Sequence, residues 1–371
     1  MNNYTYNISC PYPCEDYDYD YDELEMTEEW QTILTLAFSS TIILSILGNV
    51  VVIVVLLCVR SNNCLNVYLI NLAVADLTMA VFSMPFTFIT LMNGHWTFGK
   101  EMCSITLFLM QVSVCVSIYT LTAIGIDRYY AVLHPMRRRA SKKRNLCIVL
   151  IIWIISAMSG SVQIAMARTK QYIWDGEFFY TCGEQWPNKT SAVAYEIFVM
   201  CGTYFVPLLA MCYTYIMVGY TLWFRQIPGN ADQVRDYKHI KTKRKVVEML
   251  VVVLLMFALC WMPLHVFNIV QRVHRDLKQQ DITRQINAAL IWIAMSNSFV
   301  NPVIYCFMND SFRNHLKLIC RCVCNKTTTN QGEFLVMRHH SHSSPRRETQ
   351  STDCKTVRGN TVNENEIYEC E

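Results

Sequence analysis

Apolar residues run along this chain in long blocks separated by short polar segments. Residues 33–59, 104–126, 145–167, 197–224, 249–271 and 285–309 contain no charged side chain, and a seventh block, 66–93, contains one, Asp76. About 20 apolar residues are enough to cross a bilayer as a helix, so each block is long enough to span. A single block of this kind also fits a buried helix in a soluble protein, but seven in succession do not. The pattern predicts an all-α membrane protein, a bundle of seven transmembrane helices over 33–309. It leaves an acidic tail at 1–32, a short membrane-surface helix at 310–325 and a polar tail at 326–371. With 53% hydrophobic and 16% charged residues, the composition excludes an ordinary soluble domain.

Basic residues in the short loops set the orientation. If the N-terminus is outside, the inner loops hold Arg60, then Arg137, Arg138, Arg139, Lys142, Lys143 and Arg144, then Arg225 and the run from Arg235 to Lys245. The outer loops are poorer in Lys and Arg, and the first 30 residues have none. This places the N-terminus outside and the C-terminus in the cytoplasm of a multi-pass plasma-membrane protein. The sequons at Asn3, Asn7 and Asn188 then face the glycosylating side, whereas those at Asn309 and Asn325 lie inside and are discounted. Four cysteines, Cys10, Cys14, Cys103 and Cys182, occupy outer segments, where pairing is favoured. A Cys103–Cys182 bridge would pin the second outer loop over the bundle and leave Cys10 and Cys14 to close the "CPYPC" ring. The first thirty residues lack an apolar stretch like that of a cleavable signal, so the first helix is expected to direct insertion.

A carboxylate inside the membrane is expensive, about 2.5–3.5 kcal/mol at a helix centre. Asp76 therefore needs partners, and Asn49, Ser117, Asn297, Ser298 and Asn301 lie at similar depth. Such an all-oxygen pocket suits a sodium ion; a proton-sharing network with no ion is the alternative. No other cofactor is expected. Beyond the last span, Phe312, Leu316 and Ile319 fall on one helical face, with Arg313 and Lys317 towards the other, as in a helix lying on the inner leaflet and its lipids. Cys320, Cys322 and Cys324 beside it are palmitoylation candidates. The Ser- and Thr-rich remainder reads as disordered.

The fragments "GN" at 48–49, "NLAVADL" around Asp76, "IDRYY" at 126–130, Trp153, Pro207 with Tyr215, "FALCWMP" at 257–263 and "NPVIY" at 301–305 occur in order, one set per helix. Together they resemble rhodopsin-like (class A) G-protein-coupled receptors over about residues 30–325. The resemblance implies that Arg128, held by Asp127 at rest, is freed on activation to meet Tyr215, Tyr305 and a heterotrimeric G protein. Pro263 and Pro302 each remove a backbone hydrogen bond and kink their helices, giving Phe257, Trp261 and Asn301 a hinge. The same resemblance implies receptor kinases and arrestin acting on the C-terminal tail. It implies neither an enzyme nor a nucleic-acid partner.

The third helix reads "LFLMQVSV" where amine receptors carry an Asp, which disfavours an amine ligand. "CGEQWPN", "LWFRQIPGN" and "AMSNSFVNPVIY" are most similar to neuropeptide receptors, the invertebrate kinin type first, with neuropeptide FF and neuropeptide Y receptors close by. That implies a short amidated peptide and calcium release through the Gq class. By depth, the expected ligand contacts are Gln111, Ser113, Gln163, Glu184, Trp186, His265, Asn268 and Trp292. Arg272 stands where some relatives carry an acid that holds a ligand arginine, which argues against an arginine-anchored peptide. The acidic tail holds nine carboxylates between Glu15 and Glu29. Such a tail steers a basic peptide inward, and Tyr17, Tyr19 and Tyr21 are placed for sulfation. A chemokine-like receptor is the alternative within the family. A seven-helix ion or proton transporter is the alternative outside it, but the spans carry neither repeated acids nor internal repeats. His265 and Asp76 are the spans' only His and Asp and lie on different helices, which argues against metal catalysis.

Overall fold

The computed structural model describes residues 27–58, 65–134, 141–174, 176–224, 233–273, 281–309 and 312–321. The expectations for Asn3, Asn7, Cys10, Cys14, Tyr17, Tyr19, Tyr21, Cys322 and Cys324 fall outside them. Among the described residues, seven helices are long and apolar enough to cross a membrane. They are α1 (Glu28–Cys58), α2 (Leu65–Asn93), α3 (Lys100–Leu133) and α4 (Lys142–Met166). The others are α5 (Lys189–Phe224), α6 (Gln233–Val273) and α7 (Asp281–Met308). A final helix, α8, covers 312–321. Helix α1 is already regular at Glu28, so the bundle reaches back into the segment assigned to the tail.

The helix ends follow from local chemistry. Ser141 caps α4, its Oγ accepting from the Arg144 amide at 3.3 Å, and Asn188 caps α5, its Oδ1 accepting from the Ser191 amide at 2.7 Å. Helix α2 breaks at Ser83 and restarts with Pro85 in its first turn, where a missing N–H costs nothing. It stops at Gly94, whose φ of 73° is the left-handed conformation that ends helices.

Burial runs opposite to that of a soluble domain. Large apolar side chains such as Leu36, Met158, Leu209, Ile216 and Leu259 are exposed, while Ser45, Asn49, Asn71, Asp76, Thr120, Ser156 and Asn301 are buried. In lipid the outward face has no reason to be polar, and polar side chains turn inward to bond one another across helices. Asn71 illustrates this. Its Nδ2 donates to Thr120 Oγ1 at 2.7 Å and its Oδ1 accepts from Trp153 Nε1 at 2.8 Å, joining α2, α3 and α4. Phe312 of α8 is buried near Tyr305, and Leu316 and Ile319 pack against the same core, so the face expected to be apolar is the packed one.

One element was not foreseen. The segment between α4 and α5 forms an antiparallel hairpin, β1 (Ala167–Trp174) and β2 (Glu177–Glu184), with Ala167 opposite Glu184. The Cys103–Cys182 disulfide ties β2 to the first turn of α3. Further bonds fasten the hairpin, from the Trp96 amide to Tyr180 O (2.7 Å), Ser104 Oγ to Ala167 O (2.9 Å) and the Gln185 amide to Met166 O (2.8 Å).

Candidate functional site

At the hairpin end, charged and polar side chains from four elements converge. Glu184, the last residue of β2, accepts from Gln163 Nε2 of α4 (2.6 Å) with Oε1, and from Trp186 Nε1 (2.8 Å) and Arg272 Nη2 of α6 (2.6 Å) with Oε2. Arg272 also reaches Glu196 of α5, Nε to Oε2 at 3.2 Å, and Asn268 Nδ2 donates to Glu196 Oε1 at 3.3 Å. Trp186 packs on Tyr195 with ring centroids 4.9 Å apart. The four bonds to Glu184 and Glu196 from Gln163, Arg272 and Asn268 cross between helices or between helix and hairpin, so this cluster holds the ends of α4, α5 and α6 and the hairpin in one arrangement.

Five of the eight expected contact residues, Gln163, Glu184, Trp186, Asn268 and His265, meet here, His265 with Nδ1 4.0 Å from Glu196 Oε1. The surroundings of the other three differ. Gln111 points along its own helix towards Cys115 Sγ at 3.5 Å, Ser113 is 1% exposed, and Trp292 donates to Thr41 Oγ1 of α1 at 3.0 Å. Glu196 and Tyr195 were missed because the charge-free block begins only at residue 197. The helix actually starts at Lys189, two turns earlier, and carries the acid inside the bundle.

Aromatic rings lead inward from this cluster. His265 lies 5.7 Å from Tyr204 and 6.2 Å from Trp261, and Trp261 lies 6.2 Å from Phe257, centroid to centroid. Pro263 sits within α6 beside them and Pro302 within α7. Tyr204 belongs to a π-helical turn, Cys201–Phe205, in the middle of α5, and its OH donates to Ala258 O of α6 at 3.0 Å.

Below the rings, Asp76 is 3% exposed and accepts from Asn301 Nδ2 at 2.9 Å and from Ser117 Oγ at 3.4 Å. The other expected partners turn elsewhere: Asn49 donates to Ser298 O at 2.9 Å and to Ser45 O at 2.9 Å. Asn297 is buried and makes no hydrogen bond to Asp76 among the described residues. At the far end of α3, Arg128 Nη2 lies 2.6 Å from Asp127 Oδ2, the neighbour pair expected at rest. Tyr215 and Tyr305 are both buried in the central core. Close by, Arg244 of α6 donates from Nε to Leu222 O of α5 at 3.0 Å and covers the Trp223 ring at 5.0 Å. These contacts hold α5 and α6 together at that end.

A polar cluster at one end, a charge pair at the other and helices with an internal proline between them are the layout of a heptahelical membrane receptor. Residues 48–305 match the family described as "7 transmembrane receptor (rhodopsin family)". The chain belongs to that family, whose members are receptors and not enzymes. It is 32% identical over 328 residues to the tachykinin-like peptides receptor 99D of Drosophila melanogaster, an overlap of 85% of this chain and 63% of that receptor. It is also 35% identical over 314 residues to the substance-P receptor of Meriones unguiculatus (83% of this chain, 76% of that one). The human substance-P receptor is 33% identical over the same shares. These names specify tachykinin-like peptides and substance P, and the chain is a neuropeptide receptor by family; the kinin type put first by the sequence fragments is not among them.

Proposed function

We propose that this chain is a plasma-membrane G-protein-coupled receptor for a short, C-terminally amidated neuropeptide, with the hairpin end and N-terminus outside and the Arg128 end and C-terminus in the cytoplasm. The observation that carries the reading is the convergence of Gln163, Glu184, Trp186, Glu196, His265, Asn268 and Arg272 under a disulfide-fastened hairpin. A peptide touching this cluster bears on α5 and α6 together, and the rings from His265 to Phe257 lie along the route to the Pro263 kink. Displacing α6 there separates it from α5 at the far end and frees Arg128 for a heterotrimeric G protein; a switch of this kind needs two packings of the same helices. The names of the relatives favour a tachykinin-like peptide, and calcium release through the Gq class goes with that reading. Arrestin and receptor kinases acting on the C-terminal tail, and palmitate on Cys320, Cys322 and Cys324, belong to the same proposal.

A sodium ion beside Asp76 forms part of it too. The residues present fit the ion: a buried carboxylate with no ion-pair partner among the described residues, the Ser117 hydroxyl, and the Asn301 Oδ1, which is buried and unbonded. The test of function is calcium release in cells expressing the chain, challenged with tachykinins, kinins, RFamides and neuropeptide Y types. A nanomolar response to one class is expected. Silence across the panel with surface expression confirmed and cyclic AMP unchanged would overturn the neuropeptide reading and favour a chemokine-like ligand.

A further inference from the structure

Arg272 is shared between two acids. Its Nη2 lies 2.6 Å from Glu184 Oε2 and 3.1 Å from Glu196 Oε2, on different elements. Two carboxylates thus face one guanidinium, with the His265 ring beside Glu196, so the pair of acids is arranged for a planar cation and not for an anion. The cluster's acceptors are also not exhausted. Gln163 is 6% exposed and donates Nε2 to Glu184, which fixes the amide, yet its Oε1 on the same group has no partner. His265 is 8% exposed and turns its Nδ1 towards Glu196 Oε1 at 4.0 Å, as a donor and not an acceptor. Buried polar atoms are nearly always paired, so the Gln163 Oε1 marks a place where a donor is missing.

The two acids and the arginine differ in how they are held. The Glu196 side chain is 10% exposed and Glu184 17%, and Glu184 keeps its bonds to Gln163 and Trp186 whatever Arg272 does. The Arg272 side chain is 23% exposed and belongs to the last turn of α6, where a long flexible stem can swing aside. We infer that Glu184 and Glu196 form a guanidinium-binding subsite which the chain's own Arg272 fills at rest, and which an arginine side chain of the ligand takes over. A planar fork with five N–H donors bridges two carboxylates and leaves donors for Gln163 Oε1; an ammonium cannot match that shape. This reverses the expectation that Arg272 argues against an arginine-bearing ligand. The inference rests on the peptide-receptor reading for the ligand being a peptide, but its test needs no signalling.

The full chain is purified in detergent and its thermal unfolding followed with arginine amide, lysine amide and the uncharged citrulline amide as probes. In Arg272→Ala, arginine amide raises the melting temperature in proportion to the logarithm of its concentration, as a ligand of the folded state does. Citrulline amide does nothing, lysine amide acts only at higher concentration, and Glu196→Gln in the same background removes the effect. The wild type needs at least about tenfold more arginine amide, because the competent state is the minor one with Arg272 out. Absence of saturable stabilisation, equal stabilisation of wild type and variant, equal potency of lysine amide, or persistence in Glu196→Gln would each overturn the inference. If Arg272→Ala does not fold, Arg272→Gln replaces it. Failure of both to fold also overturns it, since a guanidinium the bundle cannot do without is no stand-in for a ligand. A positive thermal result with a silent calcium assay keeps the subsite and removes the peptide reading.

Discussion

Gly48 of α1 packs against Pro302 of α7, and a methyl group there has nowhere to go. A Cβ built at Gly48 falls 2.8 Å from Pro302 Cβ and 3.0 Å from its Cγ. The pyrrolidine ring cannot rotate away as a flexible side chain would, so Gly48→Ala must move the helix. Overpacking of this kind costs about 1–3 kcal/mol. The shift also strains the next residue's bond, Asn49 Nδ2 to Ser298 O at 2.9 Å, and losing a buried partner costs a further ~1–3 kcal/mol. Alanine returns roughly 0.5–1 kcal/mol through helix propensity. The net destabilisation is about 1–5 kcal/mol, or a fall in melting temperature of roughly 1.5–7 °C at this chain size. Unfolding in detergent is read with a thiol-reactive dye, since Cys115 and Cys260 are free and buried and become accessible only when the bundle opens. Gly219→Ala is the control: the nearest atom to its Cβ is 4.0 Å away. A Gly48→Ala variant melting within about 1 °C of the wild type would refute the reasoning.

Asn71→Leu removes the acceptor of Trp153 Nε1 and the donor to Thr120, and should cost about 1–3 kcal/mol in the same assay; Thr120→Val, which spares Trp153, should cost less. Arg128→Ala should abolish the calcium response at unchanged surface expression, and a normal response would remove Arg128 from the switch. Replacing both Cys103 and Cys182 by Ser should raise amide exchange across β1 and β2 while the helices stay protected; unchanged exchange would show that the backbone bonds from Trp96 and Gln185 suffice to hold the hairpin.

The spans were legible because each is long and free of charge, and lipid imposes that pattern strongly. The motif residues on them were legible too, since polar groups stand out in apolar blocks. Two things were not. The hairpin's strands carry charges and little regular alternation, and their only strong local signal is the Asp175-Gly176 dipeptide, a common hairpin turn. The Glu184–Arg272–Glu196 cluster was hidden because Arg272 lies 88 and 76 positions from the two acids it joins. Bounding the fifth span by its first uncharged residue also cut Glu196 out. For Asp76, depth alone gave five equivalent partners, while side-chain direction selects Ser117 and Asn301 and sends Asn49 to a carbonyl.

The π-helical turn at Cys201–Phe205 sets the rotational phase of α5. Glu196 and Tyr215 are 19 positions apart, and both are buried. An unbroken α-helix advances about 100° per residue, so that spacing would set the two side chains roughly 100° apart around the axis. One residue looped out in the wide turn cancels that offset and brings both onto one side of the helix. The turn acts as a spline joining two half-helices indexed separately, the outer half to the arginine on α6 and the inner half to the tyrosine in the core. Deleting a single residue from 201–205 would re-index only the outer half, turning Glu196 towards lipid while leaving Tyr215 in place.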